Sequence, residues 1–140
     1  NQYILTCEAV EIATIMKPGD PLARYEEVAM FALAHRAAKT GDIACYIAPQ
    51  IKQLRKYDDE YGTEFCQTLR TYLLCGRTTA AAERLCIHKN TLKYRLERIA
   101  KIVDINLADQ DALFVLRQSV YIEQYLEKKA MFADPAPVAG

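Results

Sequence analysis

The chain has 140 residues, no tryptophan, and eighteen basic side chains set against eighteen acidic ones. At 51% apolar and 26% charged it has globular proportions, which exclude wholesale disorder and collagen-like architecture and supply a core that needs no staples. No apolar run approaches ~18 residues and no signal peptide is visible, so neither a membrane span nor export is expected.

Taken in order, the elements are helices. Tyr3–Met16 carries Ile4, Ala9, Ile12 and Ile15 at mixed three- and four-residue spacing and ends at Pro18-Gly19-Asp20-Pro21. Glu26–Thr40 places Val28, Phe31, Ala32 and His35 on one side, with Gly41 where a helix-ending residue would stand. Asp42 can cap a short helix reaching Ala48, stopped by Pro49. Ile51–Tyr57 is a further helical stretch, and the acidic Asp58-Asp59-Glu60 reads as a turn. Thr63 then stands as N-cap to a helix carrying Phe65, Leu69, Tyr72 and Leu73, ended by Gly76. A short helix follows from about Thr79 to Leu85, with Thr78 or Thr79 as its cap, and a longer one from about Lys89 to Val103. After a break at 104–106, a last helix runs from about Asp109 to Lys129, and 132–140 reads as a tail. No stretch alternates apolar and polar residues between turn pairs. The fold class expected is all-α with seven to eight helices. The divisions are an N-terminal helical region over 1–57, a second domain over 58–131, and the tail.

The zero net charge is not evenly spread. Gly76–Val103 holds seven basic residues against Glu83 and Glu97, a surplus of five, while the segments on either side are acidic. Such a confined patch is the footprint of a surface that meets phosphates. At ~100° per residue, Leu92, Leu96, Ile99 and Val103 form one narrow apolar stripe. Asn90, Lys93, Tyr94, Glu97, Arg98 and Lys101 take the opposite arc, with Thr91 and Arg95 on its border. A thin core stripe under a basic outer face suits a helix lying in the DNA major groove. The preceding helix offers small Ala81 and Ala82 for close approach, and Ile87 can plug the angle between the two. Helix, tight turn, basic helix is the helix-turn-helix plan.

The run Leu85-Cys86-Ile87-His88-Lys89-Asn90-Thr91-Leu92-Lys93-Tyr94-Arg95-Leu96-Glu97-Arg98-Ile99 resembles the C-terminal helix-turn-helix of the PucR/CdaR transcription regulators. That pattern is a leucine, two residues, then His-Arg-Asn-Thr-Leu-x-Tyr-Arg-Leu, with Lys89 here in place of arginine. Tyr57-Asp58 and Thr68-Leu69-x-x-Tyr72-Leu73 are similar to the same family, and the resemblance covers about residues 57–125. Many helix-turn-helix motifs place glycine where Cys86 stands, because positive φ costs glycine little. The resemblance implies a bacterial, DNA-binding transcription regulator whose sensing region lies outside this chain, responds to a metabolite and governs catabolic genes.

Each residue of the motif has an expected role. His88, Lys89, Asn90 and Lys93 are the candidates for base edges. Thr79, Arg84, Thr91, Tyr94, Arg95 and Arg98 are the candidates for backbone phosphates, which position the protein without reading sequence. Second readings stand beside several of these: His88 as helix N-cap, Asn90 as a local first-turn cap, Lys93 on a phosphate, and Tyr94 packed on a neighbouring helix. Glu83 and Glu97 read as intrahelical partners of nearby cations.

Enzymatic chemistry finds no footing. The five glycines are isolated, no serine or cysteine nucleophile has a histidine partner, and two distant histidines give no zinc spacing, so neither metal nor cofactor is expected. The odd number of cysteines, with no C-x-x-C pair, points to the reducing cytoplasm. Leu113, Phe114, Leu116, Val120, Tyr121, Ile122, Tyr125 and Leu126 spread around more than one face of the last helix, which is then either deeply buried or shared with a partner. Because helix-turn-helix proteins bind paired half-sites, a homodimer or higher homo-oligomer is expected. The Asn1 start reads as that of a fragment with domains upstream. The competing expectation for the whole is a helical interaction or effector-coupling module that does not touch DNA.

Overall fold

A computed structural model describes residues 25–133, with side chains from 29 to 130. Every regular element in that span is helical. The helices are α1 (Tyr25–Thr40), α2 (Pro49–Tyr61), α3 (Phe65–Cys75), α4 (Thr78–Arg84), α5 (Lys89–Ile102) and α6 (Gln110–Ala133), with a single 3-10 turn at Ile43–Tyr46. Six α-helices among the described residues stand against the seven to eight expected. The helix expected at Tyr3–Met16 and the tail from 134 onward lie outside them. The short helix expected up to Ala48 is the 3-10 turn, entered by the Asp42 carboxylate accepting from the Ala44 amide at 2.9 Å.

Two local expectations gave way. Pro49 does end the preceding segment, but it also begins α2 at the position where its missing N–H costs nothing. The acidic Asp58-Asp59-Glu60 is no turn. It lies inside α2, which continues to Tyr61 and stops at Gly62 with φ 66°, a left-handed conformation that glycine adopts readily. The division expected near residue 57 therefore falls within this helix.

The chain divides into two compact units. One takes the described residues through Tyr46 together with those from Tyr121. Here Phe31 is buried with its ring edge-on to Tyr121 and Tyr125, and the Tyr125 hydroxyl lies 2.8 Å from Nδ1 of His35. Burial pushes the Tyr125 phenol above its ordinary range.

The other unit, residues 47–120, has a continuous core. Leu54, Leu69, Leu92, Ile99 and Leu116 are almost fully buried, joined by Phe65, Leu73, Ala81, Ala82, Leu96, Val103, Leu113 and Val120. Each buried large aliphatic contributes about 1.5–3 kcal/mol relative to exposure. The apolar stripe expected on α5 is thus buried in full. At the margin of this core, the amide of Ala48 donates to the Ser119 hydroxyl at 2.8 Å, and that hydroxyl donates to the Val115 carbonyl.

Helix ends in this unit are set by contacts distant in sequence. The Asp58 carboxylate accepts from the Thr63 hydroxyl and from the amides of Phe65 and Cys66, at 2.9 and 2.8 Å for the amides. So Asp58, reaching forward from α2, caps α3, whereas Thr63 gives its hydroxyl to that carboxylate instead of capping the helix itself. The Gln53 amide donates to the Ile102 carbonyl at 2.8 Å, closing the end of α5, and Arg117 does the same for the Leu73 carbonyl near the end of α3.

Candidate nucleic-acid interface

Helix α4 is only seven residues long, and it leans on its neighbours through Ala81 and Ala82, both buried. Small side chains there let backbones approach closely. Its N-cap is Arg77, extended at φ −135° with no side-chain cap, so neither Thr78 nor Thr79 fills the expected capping role: Thr78 is already the first helical residue. The turn into α5 is closed by two backbone bonds, Cys86 N–H to the Glu83 carbonyl and Ile87 N–H to the Ala82 carbonyl, both 3.1 Å. That pair is a Schellman closure, which demands a left-handed residue, and Cys86 supplies it at φ 54°. Half-buried Ile87 packs against the core at the corner.

His88 then starts α5. Its backbone is extended and its Nδ1 accepts from the Asn90 amide at 3.1 Å, so the ring caps the helix. The capping reading of His88 is what the structure bears out for that nitrogen, and the other ring nitrogen is left outside the cap. Lys89, Asn90, Thr91, Lys93, Tyr94, Glu97, Arg98 and Lys101 are all exposed on α5, and His88 with them. Tyr94 is 60% exposed, so most of its side chain faces away from the neighbouring helices. Thr79 and Arg84 are exposed on α4, the latter with Nη1 lying 3.9 Å from the Cys75 sulfur. Arg95 alone among the expected contact residues is half-buried.

Two of the cations are held by the scaffold. Nη1 of Arg95 donates to the Thr68 hydroxyl at 3.2 Å, and Nη2 of Arg98 donates to the Tyr57 hydroxyl at 3.3 Å. The Tyr57 ring is stacked on Phe65 (5.9 Å, 16°) and tilted against Tyr61 (4.4 Å). Thr68 is fully buried. Neither Thr68 nor Tyr57 was among the residues expected to serve the interface. The signal for Thr68 was present, since it falls on the apolar arc of α3 beside Phe65, Leu69 and Tyr72. A hydroxyl on that arc requires a partner. Nothing in the sequence says that the partner is Arg95, 27 positions on.

A short helix, a Schellman turn and a capped second helix with a buried aliphatic stripe and a basic exposed face define a helix-turn-helix domain. Among the described residues no helix is long and apolar enough to cross a membrane. Residues 65–122 match the PucR C-terminal helix-turn-helix domain. The chain is 32% identical over 131 residues to the proline-responsive transcriptional activator PutR of Bacillus subtilis, a match covering 92% of the chain and 31% of PutR. It is 31% identical over 67 residues to the DNA-binding transcriptional activator AdeR of the same organism, covering 47% of the chain and 16% of AdeR. The chain thus spans under a third of the length of these relatives. No solved structure gives a significant match.

Proposed function

We propose that this chain is the DNA-binding portion of a bacterial, cytoplasmic transcription regulator, with α5 entering the major groove and α4 crossing the phosphate backbone. The observation that carries this reading is the exposed basic face of α5, which stands on a buried stripe of Leu92, Leu96, Ile99 and Val103 inside a PucR-type helix-turn-helix domain. Lys89, Asn90, Lys93 and the outward nitrogen of His88 face the base edges. Thr79, Arg84, Thr91, Tyr94, Arg95 and Arg98 face phosphates. The regulator works as a homodimer on paired half-sites, and its metabolite acts on a region outside this chain. An interaction module that does not touch DNA has no specific observation in its favour.

The test is fluorescence anisotropy of the chain with duplex DNA across a salt series, with Lys89→Ala/Arg95→Ala beside the wild type. Non-specific binding in the range of about 10⁻⁴–10⁻⁶ M at physiological salt is expected, weakening steeply as salt rises. The variant should show a shallower salt dependence, by about one unit for each phosphate contact removed. Absence of binding at low salt would sink the proposal.

A further inference from the structure

We infer that Thr68, on the helix before the motif, is a positioning residue for DNA: its buried hydroxyl holds the Arg95 guanidinium ready for a phosphate. The inference rests on the DNA-binding reading above and concerns a residue that makes no contact with DNA itself.

The hydroxyl of Thr68 has one proton to give and two lone pairs to offer. Its proton goes to the Glu64 carbonyl at 2.9 Å, so what it presents to Arg95 is an acceptor only. Being fully buried, it cannot turn to solvent for an alternative partner. Thr68 therefore offers a directed acceptor to a cation. Arg95 lies with Thr91 and Arg98 along one flank of α5, at the i, i+4 and i+7 positions that line up on a helix.

A guanidinium has five donors in a planar fork, so one N–H can stay on Thr68 while others reach a phosphate oxygen. A long side chain that meets DNA unrestrained loses rotamer freedom on binding. Arg95 has lost it already, during folding. Lysine cannot copy this, because an ammonium is a single point charge without a fork. Lys89 and Lys93 stand exposed on the opposite flank. The two flanks of α5 thus differ in kind: one held against the scaffold, one left to adapt.

The experiment compares Thr68→Val, Thr68→Ser, Arg95→Lys, Arg95→Ala and Thr68→Val/Arg95→Ala in the full chain. The probe is a fluorescein-labelled random-sequence duplex long enough for two half-sites, titrated at several salt concentrations, with thermal melts of each variant. Thr68→Val keeps shape and removes the acceptor, and should weaken binding about fivefold. Thr68→Ser restores the hydroxyl and should bind like wild type. Arg95→Lys should lose affinity to a similar degree as Thr68→Val despite keeping its charge. In the Arg95→Ala background Thr68→Val should cost nothing further. Wild-type affinity in Thr68→Val would overturn the inference, as would a loss that persists undiminished without Arg95, since that would mark Thr68 as purely structural. Should Thr68→Val fail to fold, Arg95→Lys decides alone, and its binding like wild type would overturn the inference. Wild-type protein that binds no DNA at all would bring down this inference together with the reading it rests on, a result distinct from any difference among the variants.

Discussion

Cys86 carries a conformation that its side chain does not favour. An L-residue in the left-handed region costs roughly 1–2 kcal/mol, and the turn between α4 and α5 requires that region because Ile87 must reach back to the Ala82 carbonyl. Its thiol is exposed, so little packing offsets the cost. Cys86→Gly should therefore raise stability by about 1 kcal/mol. The measurement is a urea melt, in which the midpoint rises and the slope stays constant. A lower midpoint would mean the thiol makes a contact worth more than the backbone strain. The same arrangement recurs at the end of α5, where Asp104 is left-handed at φ 51° and the Ile105 amide reaches the Ala100 carbonyl. Glycine ends α2 and α3, and these two other residues end α4 and α5.

At the scale of elements, α3 depends on a cap it does not contain. Its N-cap residue, Glu64, makes no side-chain cap, and the carboxylate of Asp58 takes the first amides instead. Charge-assisted bonds to the positive end of a helix are the stronger kind. Asp58→Ala should lower stability by about 1–2 kcal/mol, read as a reduced urea midpoint; no change would show that water replaces the carboxylate without loss. This contact also explains what a linear reading misses. Acidic residues at the end of a helix oppose its dipole, so Asp58-Asp59-Glu60 resembles a turn until the chain downstream is seen folding back onto Asp58. Likewise, Thr63 has the composition of a cap and the wrong neighbour. By contrast, α5 was legible almost residue by residue. Its aliphatic spacing alone specifies the buried face, and the polar residues off that stripe are exposed, half-buried Arg95 excepted. The last helix was half legible: Leu113, Leu116, Val120, Ile122 and Tyr125 are buried, but Phe114 is 59% exposed, and breadth of apolar content does not say which residue is left out.

For the whole molecule, periodicity decided the fold class, because 3.6-residue spacing and helix breakers are properties of neighbours in sequence. The division into units was not legible, since it depends on which segments meet, and the last helix contributes its first half to one unit and its second to the other. The basic exposed face of α5 was legible in charge and spacing, while the side chains that brace it, Thr68 and Tyr57, became apparent only once α2, α3 and α5 were side by side. The hydrogen bond between Ala48 and Ser119 has a topological consequence. It joins the second residue of the 47–120 unit to its next-to-last, so the segment enters and leaves at a single point and is nearly a closed ring. A ring can be reopened elsewhere without rethreading. A circular permutant that joins Val120 to Ile47 by a short linker and begins at exposed Asp109 keeps α3, α4 and α5 in their native order. It should melt cooperatively and bind DNA within a few fold of the parent; a non-cooperative melt would show that the segment borrows its order from the rest of the chain.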